Sequence, residues 1–274
     1  MKVLITGSDG MLGSDLKEEF KDFELFAFNK NKLDITKKED VSAKIDEIKP
    51  EIVINCAAYT DVDNSEVNKE IALNVNANAV KYIAESCKKN DAKLVHFSTD
   101  YVFDGKNEAG YKEDDKKNPV GHYGYTKSLG EDHITSILDK YFIIRSSWLY
   151  GKNGKNFVKA IINKANEEEI KVVDDQIGSP TYTKDLAKAT KELITQKYDH
   201  GIYHMTNSGN CSWFEFAKEI LKNINSRAKV VPMKSEELGR PTKRPKCSIL
   251  INTKFKNKLP LWNDALKRYL GDGK

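Results

Sequence analysis

The sequence predicts an α/β fold in which a doubly wound parallel sheet forms the main domain and a smaller lobe follows it. Three observations lead to this prediction. Short apolar runs rich in β-branched residues alternate with longer amphipathic stretches, the alternation starts at the N-terminus, and it becomes less regular after Tyr150. Such alternation favours parallel strands with helices on both faces of the sheet. A length of 274 residues suits one domain with an added lobe.

The first half of the chain contains five predicted strands, whose carboxyl ends should lie at one edge of the sheet, where ligands of such folds bind. These strands are Val3–Thr6, Leu25–Phe28, Ile52–Cys56, Leu94–Ser98 and Phe142–Arg145. The helices predicted between them are Leu12–Phe20, Val41–Ile48, Ile71–Lys89 and Thr126–Leu138.

Beyond Tyr150 the same theme repeats on a smaller scale. Helices are predicted at Asn156–Ala165, Lys184–Thr195 and Trp213–Asn223, and strands at Lys171–Val173, Gly201–His204 and Lys229–Val231. Two proline-bearing stretches, Gly178–Thr181 and Gly239–Lys246, are predicted to be ordered loops. We therefore divide the chain into residues 1–150 and 151–274. The second part should pack on the first across a cleft, and some of its elements can return to the first domain.

Composition excludes several classes of protein. The formal net charge of +4 is small and spread along the chain, which argues against binding to nucleic acid or to a membrane surface. No segment approaches the roughly 20 apolar residues that span a bilayer, and no signal peptide is evident. Four isolated cysteines read as reduced thiols: Cys56, Cys87, Cys211 and Cys247. These features predict a cytoplasmic protein.

The first strand leads directly into a glycine turn that opens the first helix. Gly7, Gly10 and Gly13 are spaced Gly-x-x-Gly-x-x-Gly, with Met11 and Leu12 before the last glycine. This is a variant of the dinucleotide fingerprint, in which backbone N–H groups at a helix N-terminus approach a pyrophosphate. The strand before it and the helix after it supply the required context. Residues 1–150 are therefore predicted to be a Rossmann-type dinucleotide-binding domain.

The end of the second strand bears on which dinucleotide binds. NAD-specific folds usually place Asp or Glu there against the adenosine ribose, whereas this chain has Asn29, with Lys30 and Lys32 nearby. An amide does not repel a 2′-phosphate, and the lysines can attract one or can be solvated turn residues. Asp34 and Ile35 are predicted to lie beside the adenine. Both NADH and NADPH remain open as cofactors.

Tyr123 and Lys127 are four residues apart, which places them on one face of a predicted helix. An ammonium beside a phenol is expected to lower the pKa of the phenol, so that Tyr123 can serve as a general acid. Thr99 ends the fourth predicted strand and should lie near both side chains. Together these groups predict a site where a carbonyl lies beside a nicotinamide.

These motifs resemble those of the extended short-chain dehydrogenase/reductase superfamily. The resemblance includes the glycine turn, Asn55–Ala58 after the third strand, Ser98–Asp100, and the Tyr123/Lys127 pair. It implies that Thr99, Tyr123 and Lys127 are the catalytic set. It also implies that the cofactor lies along Ala57, Ala58 and Tyr59.

Further motifs narrow the resemblance to the family of dTDP-4-dehydrorhamnose reductases. Sugar-nucleotide 4,6-dehydratases carry Thr-Asp-Glu at the end of the fourth strand, whereas this chain reads Thr99-Asp100-Tyr101, which disfavours dehydration. The matching runs are Ser98–Gly105, Ser147–Gly151, Asn156–Phe157, Asp175–Thr181, Gly201–His204, Ser212–Ala217 and Arg240–Pro245.

That resemblance implies reduction of the C4 keto group of dTDP-4-dehydro-L-rhamnose, with hydride from NADH or NADPH and a proton from Tyr123. It implies a substrate-binding lobe in residues 151–274 and sugar contacts from Thr99, Asp100, Tyr101 and Trp148. The basic loop that contains Lys243, Arg244 and Lys246 is either a partner of the substrate diphosphate or a solvated surface.

Metal binding and assembly follow only from the resemblance. Some relatives share a Mg²⁺ between subunits through carboxylates that match Asp15 and Asp185, where Glu stands elsewhere. The shorter Asp side chains leave open whether a metal binds here, so no residue is assigned as a metal ligand. A homodimer is a family expectation.

Two other functions remain open. The chain can be a reductase of another nucleotide-linked keto sugar, or a non-catalytic relative such as the regulatory subunit of methionine adenosyltransferase. Retention of Thr99, Tyr123 and Lys127 argues against the non-catalytic alternative.

Overall fold

The computed structural model describes residues 1–271, so the last three residues of the predicted second lobe lie outside the described part. Six parallel strands form the central sheet in the order β10-β5-β4-β3-β1-β2. They are β1 (Lys2–Thr6), β2 (Glu24–Phe28), β3 (Ile52–Asn55), β4 (Lys93–Thr99), β5 (Tyr141–Ser146) and β10 (Gly201–His204). The order reverses direction between β1 and β3, which creates the crevice where such sheets bind ligands. The prediction of an α/β Rossmann-type sheet is confirmed.

Helices cover both faces of the sheet because successive strand residues point to opposite sides. Val3 and Ile5 pack with one set of helices, and Leu4 packs with the other. The first set is α1 (Met11–Glu19) and α8 (Thr183–Thr195). The second set is α2 (Lys38–Ile48), α5 (Ala79–Lys89) and α6 (His122–Ile137).

The helix predicted as a continuous element at Ile71–Lys89 is interrupted. After α3 (Asn64–Val67), α4 (Lys69–Leu73) leads into a π-helical turn at Asn74–Asn78 before α5 begins. Asparagines favour competing hydrogen bonds with the nearby backbone, and this turn contains three of them. Such turns inside helices often mark functional sites.

The second half of the chain contributes to both parts of the molecule. Helix α8 and strand β10 belong to the main sheet and its cover. The remaining helices are α7 (Phe157–Asn163), α9 (Trp213–Asn223) and α10 (Trp262–Gly271). The remaining strands are β6 (Leu149–Tyr150), β7 (Glu169–Val173), β8 (Ile177–Gly178), β9 (Thr181–Tyr182), β11 (Asn207–Ser208), β12 (Cys211–Ser212), β13 (Lys229–Met233) and β14 (Leu259–Leu261). They enclose a separate apolar core around Tyr150, Phe216 and Ile220.

The structure also bears on the predicted state of the cysteines and on membrane-spanning helices. All four cysteines are free thiols, in agreement with their isolated positions. Among residues 1–271, no helix combines the length and apolar character needed to cross a membrane.

A buried ion pair joins β5 to α6. Arg145 donates to Glu131 through Nε at 2.9 Å and Nη2 at 2.7 Å, and its Nη1 donates to the Glu113 carbonyl at 3.1 Å. Both charged side chains are almost completely buried. Each charge would be costly without the other, so the pair fixes the helix that carries Tyr123 and Lys127 against the sheet.

We predict that Arg145→Met lowers the free energy of unfolding by about 3–5 kcal/mol, because the buried Glu131 carboxylate loses its two-point partner and keeps only Lys117, at 3.3 Å, as a cationic neighbour. Chemical denaturation measures the change. Lys140→Met is the matched control, since Lys140 forms an exposed pair with Asp91 at 2.6 Å and should cost less than about 1 kcal/mol. Equal costs for the two variants would contradict this role of the buried pair.

Candidate active site

The glycine turn lies where β1 meets the crevice, and its backbone approaches the end of β3. Gly7 has a φ of +66°, and a Cβ there would lie 2.6 Å from the backbone nitrogen of Ala57. A Cβ on Gly13 would overlap the carbonyl oxygen of Gly7. Side chains at these two positions would therefore push the first helix away from the sheet. The predicted tight turn is present.

The turn exposes the start of α1. Gly10 is the N-cap of this helix and provides no side-chain cap, so the first N–H groups remain available for an anion. Met11 is partly buried at the helix start, whereas the side chain of Leu12 is 7% exposed and packs into the core. Leu12 can therefore contact a dinucleotide only through its backbone.

The residues predicted to contact the adenosine follow β2, and they lie in three different environments. Asn29 is partly buried beside the glycine turn, and its Nδ2 donates to the carboxylate of Asp9 at 2.6 Å. Asp34 accepts hydrogen bonds from the backbone and hydroxyl of Thr36, at 3.1 and 2.7 Å. Ile35 is 5% exposed and packs in the core under α2. Only Asn29 lies directly against the turn.

The segment Ala57–Tyr59 runs along the crevice after β3 and is held by a residue that sequence reasoning missed. Asn76, in the π-helical turn, accepts from the Tyr59 backbone N–H at 2.9 Å and donates to the Tyr59 carbonyl at 3.0 Å. Its Nδ2 also lies 3.2 Å from Thr126 Oγ1 in α6. The cluster of asparagines within an otherwise helical pattern was the available signal.

Lys127 is buried, and its ammonium is the end of a chain of polar side chains. Lys127 Nζ donates to the Phe97 carbonyl at 2.6 Å and lies 3.2 Å from His96 Nε2. His96 Nδ1 lies 3.1 Å from Asn55 Nδ2, and Thr6 donates to Asn55 Oδ1 at 2.6 Å. The chain thus connects α6 with β4, β3 and β1.

Burial lowers the pKa of both basic groups in this row of polar side chains, Lys127 and His96. It lowers the pKa of Lys127 from its usual value to about 8, and it holds the pKa of His96 well below its usual range, with the nearby Lys127 adding to the effect. His96 is therefore neutral at physiological pH. Sequence reasoning missed His96, although a polar residue inside the apolar run of β4 was a signal.

Thr99, Asp100 and Tyr123 meet at the carboxyl end of β4. Thr99 Oγ1 donates to Asp100 Oδ1 at 2.9 Å and accepts from the Tyr101 backbone N–H at 3.2 Å. Burial raises the pKa of Asp100 to about 6. The other oxygen of this carboxylate, Oδ2, is buried and has no hydrogen-bond partner among the described residues.

The expected lowering of the Tyr123 pKa is wrong for this structure. Burial, followed by the charge of Asp100, raises the pKa of Tyr123 to about 12. The Lys127 ammonium is directed at His96 and the Phe97 carbonyl, so the structure does not show it stabilising the phenolate. A neutral phenol is nevertheless the form that can donate a proton.

A cavity of about 810 Å³ extends between Tyr101 of the main domain and the second lobe. Tyr101 lines it, and the Tyr101 ring packs edge-on against Tyr123 with ring centroids 5.9 Å apart. One wall is apolar and includes Phe157, Ile161 and Trp213. The lining also includes the basic side chains Arg240, Lys243, Arg244 and Lys246, of which the two arginines pair with Asp63 at 3.5 and 2.9 Å. The basic loop therefore faces a cavity and is more than a solvated surface.

Trp148 does not line this cavity, although it is close to a residue that does. Its indole stacks on Trp213, with ring centroids 3.5 Å apart and an angle of 8° between the planes. A Cβ on Gly178 would lie 2.6 Å from Trp148 Cε2. Trp148 therefore supports the lining residue Trp213 from behind, and Trp213 is the aromatic side chain that sequence reasoning missed.

The two candidate magnesium ligands are occupied by other partners. Asp15 accepts from Thr183 Oγ1 at 2.5 Å, and Asp185 forms a two-point ion pair with Arg268 at 2.7 and 2.6 Å. Across residues 1–271, no three His, Cys, Asp or Glu side chains cluster in a way that could hold a metal. In the described part of the chain, both candidate carboxylates are therefore engaged by protein side chains.

Comparisons with known proteins agree with this geometry. The family model described as "RmlD substrate binding domain" matches residues 1–274. The spore coat polysaccharide biosynthesis protein SpsK of Bacillus subtilis is 40% identical, covering 98% of this chain and 96% of its own. A dTDP-4-dehydrorhamnose reductase of Aggregatibacter actinomycetemcomitans is 36% identical, covering 97% of each. The crystal structure of a Bacillus anthracis dTDP-4-dehydrorhamnose reductase in complex with NADP is 42% identical, covers 99% of each chain and has a TM-score of 0.96.

We predict that Gly178→Ala displaces Trp148 from its stack, because the added methyl group would occupy the space of the indole. Near-ultraviolet circular dichroism should lose the signal of the stacked pair, and the free energy of unfolding should fall by about 1–3 kcal/mol. Gly271→Ala is the control, since a Cβ there meets no atom within 4 Å. An unchanged aromatic spectrum in Gly178→Ala would show that the stack does not depend on this glycine.

Proposed function

The chain belongs to the RmlD substrate-binding-domain family, and we propose that it reduces the C4 keto group of dTDP-4-dehydro-L-rhamnose to give dTDP-L-rhamnose with NADH or NADPH. One observation carries this proposal. Tyr123 and Lys127 project from one helix at the carboxyl ends of β3 and β4, between a glycine turn and a cavity with a basic loop. Relatives that carry the name dTDP-4-dehydrorhamnose reductase support the substrate.

The residues of the crevice fit a nicotinamide dinucleotide. The turn of Gly7, Gly10 and Gly13 leaves no room for side chains and presents the first N–H groups of α1, including those of Met11 and Leu12, to a pyrophosphate. The segment Ala57–Tyr59 would lie along the cofactor, with Asn76 holding its backbone in place. The bound nicotinamide supplies the hydride that reduces the carbonyl carbon.

Side chains of the protein supply the proton and fix the ammonium group of the site. Tyr123 donates its phenolic proton to the carbonyl oxygen, so hydride and proton together convert the ketone into an alcohol. Lys127 uses two contacts to stay fixed, at His96 and the Phe97 carbonyl, and has a third N–H for the hydroxyls of the nicotinamide ribose. Thr99 forms a side-chain hydrogen bond with Tyr123 and so positions the phenol.

The cavity offers two chemically different parts to a nucleotide sugar. Among the cations of the loop, Lys243 and Lys246 suit a diphosphate, whereas Arg244 is paired with Asp63 at 2.9 Å. The apolar wall with Trp213 suits the flat face of a base or a sugar. The resemblance makes Asp100 a sugar contact, but its Oδ2 is fully buried here and its carboxylate has Ser248 as a neighbour, so a sugar hydroxyl reaches it only after local rearrangement. Tyr101 occupies the position of the Glu that a dehydration would require, and Trp148 acts through its stack on Trp213.

We also propose the division of labour between the two parts of the chain. Residues 1–150 bind the dinucleotide and carry Tyr123 and Lys127, whereas residues 151–274 mainly bind the sugar nucleotide. Helix α8 and strand β10 are exceptions, because they complete the main sheet and its cover. The cytoplasm as location and a homodimer as assembly are part of the same proposal, and both rest on the family.

A second candidate function differs only in the sugar. Among the relatives, a Streptomyces niveus protein that is 34% identical is named dTDP-4-keto-6-deoxy-D-glucose reductase. Reduction of another dTDP-linked 4-keto sugar would use the same hydride, proton and cavity. A non-catalytic regulatory role would not explain why Thr99, Tyr123 and Lys127 are present together at this site.

The decisive experiment for this function follows the absorbance of NADH or NADPH with dTDP-4-dehydro-L-rhamnose as substrate. Tyr123→Phe should lose more than about 100-fold in kcat, because it removes the general acid, while its affinity for the cofactor stays within a factor of two. Tyr125→Phe is the matched control, since Tyr125 is exposed on the same helix, and it should keep full activity. Oxidation with a different dTDP-4-keto sugar alone would reassign the substrate. Full turnover by Tyr123→Phe would remove Tyr123 from its role.

Activity should also depend on the charge of Lys127. Because burial lowers its pKa to about 8, the ammonium is present below that pH and is lost above it. We predict that kcat/KM falls as pH rises through about 8. Lys127→Arg retains its charge at every accessible pH, so its residual activity should lack this alkaline decrease. A pH profile of Lys127→Arg with the same decrease would assign the titration to another group.

A further inference from the structure

The basic loop of the second lobe, Gly239–Lys246, packs against the main domain at the start of the helix that carries Tyr123. Thr242 Oγ1 in this loop donates to the Val62 carbonyl at 3.2 Å. A Cβ on Gly121, the N-cap of α6, would lie 2.9 Å from Thr242 Cγ2. The loop therefore contacts α6 within two residues of the proposed proton donor.

Arg244 is the cation of this loop that bridges to the main domain. Its Nη2 donates to Asp63 Oδ2 at 2.9 Å, and its Nη1 donates to the Thr242 carbonyl at 3.2 Å. The guanidinium also forms a side-chain hydrogen bond with the Tyr101 hydroxyl, in which the guanidinium is the donor. Its side chain is only 11% exposed. Arg244 is thus engaged by groups of the protein on several sides.

Tyr101 connects Arg244 with Tyr123. The rings of the two tyrosines pack edge-on, with centroids 5.9 Å apart and 81° between the planes. The Tyr101 backbone is also close to α6, because a Cβ on Gly124 would overlap its carbonyl oxygen. The helix therefore fixes the backbone of Tyr101, and Arg244 fixes the hydroxyl end of its ring.

Asp63, the N-cap of α3, keeps Arg244 in this place. It also pairs with Arg240 at 3.5 Å. Partial burial works against the charge of this carboxylate, but Arg244 and then Arg240 lower the pKa of Asp63 below its usual value. Asp63 is therefore ionised at physiological pH and holds the guanidinium beside Tyr101.

The chain that follows the basic loop makes a related contact. Ser248 is 2% exposed and interacts with the Asp100 carboxylate through its side chain. Asp100 and Tyr101, the two residues that follow Thr99, are thus each contacted by a side chain from the second half of the chain. This pattern indicates that the second lobe helps to set the shape of the site at the end of β4.

We propose that Arg244 is a positioning residue which, held by Asp63, fixes the Tyr101 ring against Tyr123 and so places the phenol for proton transfer. Arg244 acts through Tyr101 and is not a ligand of the substrate diphosphate. The contact couples the loop of the second lobe to the proton donor of the main domain. This inference rests on the proposed function for the role of Tyr123.

The test removes Arg244 with and without the Tyr101 hydroxyl. Arg244→Met should lower kcat about tenfold, the worth of a hydrogen bond to a charged group, with a smaller change in KM. In a Tyr101→Phe background, which keeps the ring, the same substitution should change kcat less than about twofold, because the contact is already absent. Arg244→Lys keeps a cation beside Asp63 and should also lose kcat, since an ammonium does not reproduce the guanidinium fork.

The contact can also be measured without any substrate, by NMR of protein labelled with ¹³C at Cζ of its tyrosines. Arg244→Met should shift the Tyr123 signal, and this shift should disappear in the Tyr101→Phe background. Arg268→Met is the matched control, because it removes another arginine–aspartate pair, with Asp185 at 2.6 Å, outside the basic loop. It should leave kcat and the Tyr123 signal unchanged.

The two measurements separate failure of this inference from failure of the proposed function. A wild-type protein that oxidises neither cofactor with any dTDP-4-keto sugar would refute the proposed function, whereas the NMR comparison would still test the contact. A loss of kcat or a Tyr123 shift of equal size with and without the Tyr101 hydroxyl would overturn the inference. A rise in KM alone would overturn it too, because Arg244 would then be a substrate ligand.

Discussion

The ammonium group of Lys127 lies inside the protein, and the candidate site is arranged around it. A buried charge is tolerated only when polar groups surround it, and here the partners come from His96 and the Phe97 carbonyl. His96 in turn contacts Asn55, which contacts Thr6. This chain fixes α6 relative to three strands at the point where the strand order reverses. The glycine turn starts from the same strand end, so cofactor groove and catalytic helix share one support.

The same arrangement explains how the two parts of the chain cooperate. The buried pair of Arg145 and Glu131 holds α6 on the sheet one turn after Lys127. Tyr123 therefore keeps a fixed position on α6, and its contact with the Tyr101 ring connects it to the cavity of about 810 Å³. The second lobe supplies the apolar wall and the basic loop. The residues proposed for the reduction lie on the main sheet and on α6. Those proposed to bind the nucleotide sugar lie mainly on the second lobe.

Much of this could be predicted from the sequence, because local patterns carry it. The glycine turn, the alternation of strands and helices and the Tyr123/Lys127 pair follow from spacing and periodicity, which depend on neighbours along the chain, whereas the order of the six strands was not predicted. Asn76, His96 and Trp213 could not be assigned, since their roles arise from contacts between distant elements. The pKa of Tyr123 was mispredicted for the same reason: helical spacing brings Lys127 to the same face but does not reveal that burial and Asp100 dominate.

The most direct measurement of the central claim is the fate of an isotopic label. Reduction is run with NADH carrying deuterium at C4 of the nicotinamide, using each of the two stereospecifically labelled forms, and the sugar product is analysed by mass spectrometry and NMR. The account predicts that one form transfers a single deuterium to C4 of the sugar while the other transfers none. A product without deuterium from either form, or one labelled at another carbon, would contradict a hydride transfer beside Tyr123 and Lys127.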